Sequence, residues 1–142
     1  MFKYMILVSI LAVSMIFASG CSDPGETADD IEPVEIFPVE IGDLPSEIEE
    51  WVEESKYKFG GHTRIYEDQL YILAAYGERP TGGYDVEITE IIEKNEKIEV
   101  LAHFTAPDED EPVTQAITYP YDLVMIEETR MPVSFTTTGD ID

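Results

Sequence analysis

Cysteine is all but missing from this chain. Cys21 stands alone, so no disulfide forms within one chain and burial must hold the folded part together. Positive charge is nearly as scarce. With 8 basic residues against 31 acidic ones the formal net charge is −23, a field that repels phosphate-rich partners, because nucleic acids and anionic headgroups are held by clustered Lys and Arg. Neither a nucleic-acid role nor direct binding to a headgroup surface is therefore expected. The acidity itself reads as a solvation device for a salty or alkaline exterior. Imidazoles number two, His62 and His103, and no His-Glu-x-x-His, Gly-x-Ser-x-Gly or Walker spacing occurs. Carboxylate pairs abound, yet in a chain this acidic any two Glu make a pair, so they do not indicate glycoside chemistry. The run Asp108, Glu109, Asp110, Glu111 lacks the glycine turn and spaced bidentate Glu of a calcium loop and reads as a solvated acidic loop. The sequence thus predicts no enzyme, no cofactor, no metal site and no small-molecule substrate.

Long apolar runs are equally rare, and the most uninterrupted one is N-terminal. Lys3 is followed by an apolar stretch from Met5 to Phe17, of signal-peptide length and short for a membrane span. Ala18-Ser19-Gly20-Cys21 comes next, and small residues leading into a cysteine at that place resemble the lipobox of bacterial lipoproteins. That resemblance implies a signal peptide over residues 1–20, a diacylglyceryl group and palmitate on Cys21, and an extracytoplasmic body tied to the cell membrane only through its lipid. Two or more acyl chains suffice for stable anchoring. Residues 21–33 are small, acidic and interrupted by Pro24, Gly25 and Pro33, a composition expected of a disordered tether.

The 142 residues leave room for one domain, expected over residues 34–130, with an edge strand or tail over 131–142. Val34 to Ile41 alternates and predicts a first strand that Pro38 confines to an edge or bulge. Leu44 to Ser55 predicts the helix of the chain: Ser46 and Glu49 have capping-box spacing, and Ile48, Trp51, Val52 and Ser55 form a narrow stripe, with Trp51 the largest side chain to bury. Thr63 to Tyr66, Leu70 to Tyr76, Tyr84 to Ile92 and Ile98 to Phe104 read as strands, with turns at Glu67-Asp68 and at Asn95 and a bulge near Ile91. Val113 to Tyr119, Tyr121 to Ile126 and Val133 to Phe135 read as further β segments. The predicted fold class is mainly β (α+β), a small antiparallel sheet or sandwich with one N-terminal helix packed on it.

Between the Leu70 and Tyr84 segments lies Gly77-Glu78-Arg79-Pro80-Thr81-Gly82-Gly83-Tyr84, where Pro80 fixes φ and the two glycines permit a sharp reversal. Together with Pro107 and Val113-Thr114-Gln115-Ala116-Ile117-Thr118-Tyr119-Pro120-Tyr121, this stretch resembles the PrcB C-terminal domain family of exported bacterial proteins. The resemblance implies a non-catalytic, membrane-tethered accessory subunit, with an exported protease or another cell-surface protein as partner. Loops on a rigid sheet are common recognition surfaces, and Arg79, Pro80, Thr81, Gly82, Gly83 and Tyr84 form the candidate partner-binding loop. Two alternatives stand beside it. One is a protease inhibitor acting through Pro80 to Tyr84, whose Thr-Gly-Tyr chemistry is loosely similar to that of chagasin-type inhibitors; the other is a structural envelope lipoprotein.

Overall fold

A computed structural model describes residues 31–39 and 41–141; the expected signal peptide, Cys21 and the expected tether up to residue 30 lie outside the described residues. The elements run β1 (Ile31–Pro33), β2 (Phe37–Pro38), a 3-10 turn (Ile41–Asp43), α1 (Ser46–Ser55), β3 (Gly60–Tyr66), β4 (Gln69–Ala75), β5 (Asp85–Lys94), β6 (Lys97–Thr105), β7 (Tyr121–Glu127) and β8 (Val133–Gly139). They form two four-stranded sheets, β1-β5-β6-β8 and β2-β7-β4-β3. All pairings are antiparallel except β6 with β8. The chain is mainly β, with the helix on the outer face of the second sheet.

β4 shows why three layers form. Its side chains alternate between two apolar surroundings, as period-two geometry requires. Leu70, Ile72 and Ala74 enter the core between the sheets, with Val86, Ile88, Ile91, Ile98, Val100, Ala102, Phe104, Val124 and Ile126. Tyr71 and Leu73 face the other way, into a second cluster with Ile48, Val52 and Leu123. A strand buried on both faces is the continuous apolar run expected from Leu70 to Tyr76.

The turns follow local chemistry. Glu67 and Asp68 (φ 45° and 62°) join β3 to β4, and Asn95 and Glu96 (φ 52° and 58°) join β5 to β6. Two consecutive left-handed residues give the primed turn whose twist suits a two-residue hairpin. The β5–β6 register shifts between Ile88 and Glu90, and that bulge returns Ile91 to the core face after Ile88. The Ile88 amide then donates to Asp122 Oδ2 on β7 at 2.7 Å, a polar tie between the two sheets.

Five expectations are corrected. The single first strand becomes two short ones, β1 on one sheet and β2 on the other; Val34 and Ile36 plug the core between them, and Ile31 to Pro33 are paired with β5 rather than part of a tether. Ser46 does not cap α1: Pro45 holds the N-cap position without a side-chain hydrogen bond, its fixed φ and its carbonyl, which accepts from the Ile48 and Glu49 amides, replacing the box. Trp51 is half-buried at the rim of its cluster, while Ile48 and Val52 fill the centre. Val113 to Tyr119 is no strand and contributes one isolated bridge, Arg79 to Thr118. The loop between β4 and β5 crosses from one sheet to the other, so these two strands belong to different sheets.

Two strands also run longer than expected. β3 begins at Gly60, and a Cβ built on Gly61 would collide with the Phe135 ring; only glycine lets β8 close over β3 there. β8 extends to Gly139, alongside β6.

Candidate functional site

The crossing loop from Gly77 to Tyr84 and the segment from Pro107 to Pro120 are far apart in sequence and bound together in space. At the near end, the Tyr76 amide donates to Pro120 O at 2.9 Å, and Arg79 and Thr118 exchange backbone hydrogen bonds at 2.9 and 3.0 Å. Further on, the Gly82 amide donates to Thr114 O at 2.8 Å, and Thr118 Oγ1 donates to Thr81 O at 2.7 Å. Buried backbone polar groups need partners, and the two loops supply each other's in place of a ladder. That is why the apolar alternation of Val113 to Tyr119 produces no strand.

Gly83 lies at φ +84°, and a Cβ there would sit 2.7 Å from Val113 Cγ1 and 2.8 Å from Pro107 Cβ. Both the backbone angle and the space exclude a side chain. Gly82, by contrast, has Thr114 Cβ at 3.4 Å. The glycine pair therefore seats the loop against Pro107 and Val113 as well as turning it.

Arg79 is held over aromatic rings. Its guanidinium carbon lies 3.9 Å from the Tyr76 ring centroid and 5.5 Å from that of Tyr84, cation–π contacts in a half-buried setting. Tyr76 meets Tyr84 edge-on at 5.5 Å and Phe104 at 4.9 Å, and its hydroxyl donates to Asp140 O at the chain's far end. Burial pushes the Tyr76 phenol up from its ordinary value, with Arg79 opposing. Tyr119 donates to Glu78 Oε2 at 3.0 Å; that hydrogen bond raises its pKa.

Of the six expected loop residues, Pro80 and Gly83 are exposed and Arg79, Thr81, Gly82 and Tyr84 are half-buried. The structure brings all six together, and most of their polar groups turn inward. What stands outward beside them is apolar. Ile117 is 60% exposed and Tyr57 53%; Tyr57 meets Tyr119 edge-on at 4.6 Å, and the exposed Phe59 lies 6.4 Å from Tyr76, centroid to centroid. Tyr57 and Phe59 were not anticipated. A Tyr-Lys-Phe run before Gly60-Gly61 was the only local sign, and it says nothing of tertiary neighbours.

Among the described residues the two imidazoles do not meet. His62 meets Lys58 O at 2.9 Å from strand β3, whereas His103 meets Thr138 Oγ1 at 3.0 Å on the other sheet, so the two imidazoles belong to different layers. Among the described residues no three His, Cys, Asp or Glu side chains converge as a metal site, and Asp108 to Glu111 are exposed.

Fold and site together define a helix-backed β-sandwich whose two signature loops are mutually hydrogen-bonded at one end. Residues 70–127, from β4 through β7, match the family described as PrcB C-terminal. Both stretches that carry the resemblance fall inside that span. No curated protein and no solved structure matches the chain.

Proposed function

We propose that this chain is a lipid-anchored extracytoplasmic accessory subunit that binds a partner protein, an exported protease, and performs no chemistry of its own. The carrying observation is the match of residues 70–127 to the PrcB C-terminal family, a family resemblance that points to a protease-complex-associated domain. The reading is supported by what the loop end offers: apolar Tyr57, Phe59 and Ile117 outward, raised on a base that Arg79, Tyr76 and Tyr84 stiffen. Exposed apolar groups on a rigid frame suit protein recognition. An inhibitory loop would have to protrude into a cleft, whereas Thr81 and Gly82 are tied down by Thr118 and Thr114.

The test is recovery of a protease. Wild-type chain and the Tyr57→Ala/Ile117→Ala variant, displayed on the cell surface and crosslinked, are each isolated and assayed for co-purified proteolytic activity. The wild type should bring down activity that the variant loses by about tenfold, as for removal of interface anchors. Equal recovery by two equally folded proteins would remove this surface from the interface. Purified chain added to subtilisin or papain should leave hydrolysis unchanged; its abolition would establish the inhibitor reading instead.

A further inference from the structure

The second sheet ends in an unpaired edge, β3. Tyr66 and Gln69 close its two-residue hairpin with β4, and in such a hairpin the closing pair exchanges both backbone hydrogen bonds, as does every second pair behind it. Arg64 and His62 therefore bond inward to β4, while the N–H and C=O groups of Gly61, Thr63 and Ile65 point outward. Proteins usually blunt such an edge with proline, a bulge, charge or a covering segment. Here the charge between Thr63 and Ile65, Arg64, lies opposite Tyr71 and pairs with Glu47 of α1, and Thr63 and Ile65 themselves carry no such device.

Ile65 makes the edge unusual. It lies opposite Leu70, so its side chain is on the face that looks toward the other sheet, and yet it is 50% exposed. Phe135 of β8 covers Gly61, but toward Ile65 the two sheets part. The opening is a groove of about 620 Å³ lined by Thr63, Ile65, Leu70, Met131 and Val133, with two cations at its margin, Arg130 and Arg64, the latter paired with Glu47 of α1. On the opposite flank of the sandwich, the Val34 to Ile36 connection fills the same kind of gap.

We propose that β3 accepts an extended apolar segment of a partner protein as an added antiparallel strand. Its alternate side chains fill the groove beside Ile65, Met131 and Val133, and a basic residue near its start lies over the carboxylates at the hairpin end. Strand addition draws affinity from main-chain hydrogen bonds and specificity from alternate side-chain pockets. Charge selects the occupant. Glu67 and Asp68 end the β3–β4 hairpin, and Glu127 and Glu128 lie beside it, with the Glu128 amide donating to Asp68 O at 3.0 Å; Asp68, Glu127 and Glu128 line one shallow depression with Arg130. An antiparallel strand brings its first residues to that end. A second copy is disfavoured, since two bodies of −23 repel. This surface is separate from the Tyr57 and Ile117 end, so each fails or stands alone.

The test uses the full-length chain in mild detergent and a fluorescent octapeptide of alternating valine and threonine led by two lysines. A twin peptide led by two glutamates is the control. The lysine-led peptide should bind at least about tenfold more tightly and should slow hydrogen exchange at the Thr63 and Ile65 amides. Ile65→Glu blocks the groove, and Thr63→Pro removes an outward N–H without touching the β4 ladder; each should weaken binding about tenfold while the melting temperature holds. The Tyr57→Ala/Ile117→Ala variant should bind the peptide as the wild type does. Equal affinity for both peptides, no binding, or indifference to both edge variants would overturn the proposal. Exchange at Thr63 that slows with chain concentration alone would overturn it too, by making a second copy the occupant.

Discussion

Gly83 and Tyr76 concentrate what single residues contribute. Gly83 combines a positive φ with van der Waals contact to two side chains, so Gly83→Ala adds backbone strain to a collision. It should cost about 2–4 kcal/mol, read as a lowered urea midpoint, whereas Gly82→Ala, with room at 3.4 Å, should cost less than about 1 kcal/mol. Two adjacent glycines look alike in sequence; only their neighbours separate them. Tyr76 gives a pH prediction. Burial favours its neutral phenol in the fold, and Tyr71 and Tyr121 are raised for the same reason. When the folded-state pKa lies above the unfolded one, the unfolded chain releases its proton first as pH rises. The contribution of these tyrosines to stability should therefore be level below the ordinary tyrosine value of 10.0 and fall above it. Alkaline titration should show tyrosinate absorbance at 295 nm rising together with loss of the β-sheet signal. Full tyrosine ionisation with the fold intact would refute this.

At the scale of elements, α1 was legible as a helix but not in how it begins. Its stripe at Ile48, Trp51, Val52 and Ser55 followed from spacing three and four apart. The capping box did not form, because Pro45 already occupies the N-cap position and its carbonyl takes the Ile48 and Glu49 amides at 2.9 and 3.0 Å. Ser46→Ala should thus change stability by less than about 0.5 kcal/mol, against about 1 kcal/mol for a working cap. Ile48→Ala, at a fully buried site, should cost about 2–5 kcal/mol. Thermal melts of the two variants settle both. The strand elements divide in the same way. β4, β5 and β6 could be read because each carries its burial pattern in its own residues. Val113 to Tyr119 has the composition of a strand, but its hydrogen bonds go to Arg79, Thr81 and Gly82, and composition does not name a partner.

For the molecule as a whole, the lipobox-like Ala18-Ser19-Gly20-Cys21 sets where the sandwich is expected to work. Labelled palmitate should enter the wild-type chain and not Cys21→Ala, which should leave the membrane fraction for the medium; label retained by the variant would exclude lipidation at this residue. The sequence by itself determined the elements whose cause is local: hairpins at Glu67-Asp68 and Asn95-Glu96, a helix stripe, a doubly buried β4, and the paired stretches that match the PrcB C-terminal family. Charge and the shortage of cysteine and histidine shaped the functional expectation in the same way, since those are sums over residues. Only the tertiary structure decided which sheet each strand joins, that β8 runs parallel to β6, that the two signature loops close on each other, and that Ile65 stands uncovered at an open edge. Each of these depends on contacts between distant residues. A pattern of apolar positions specifies that a face must be buried, but it does not say against what.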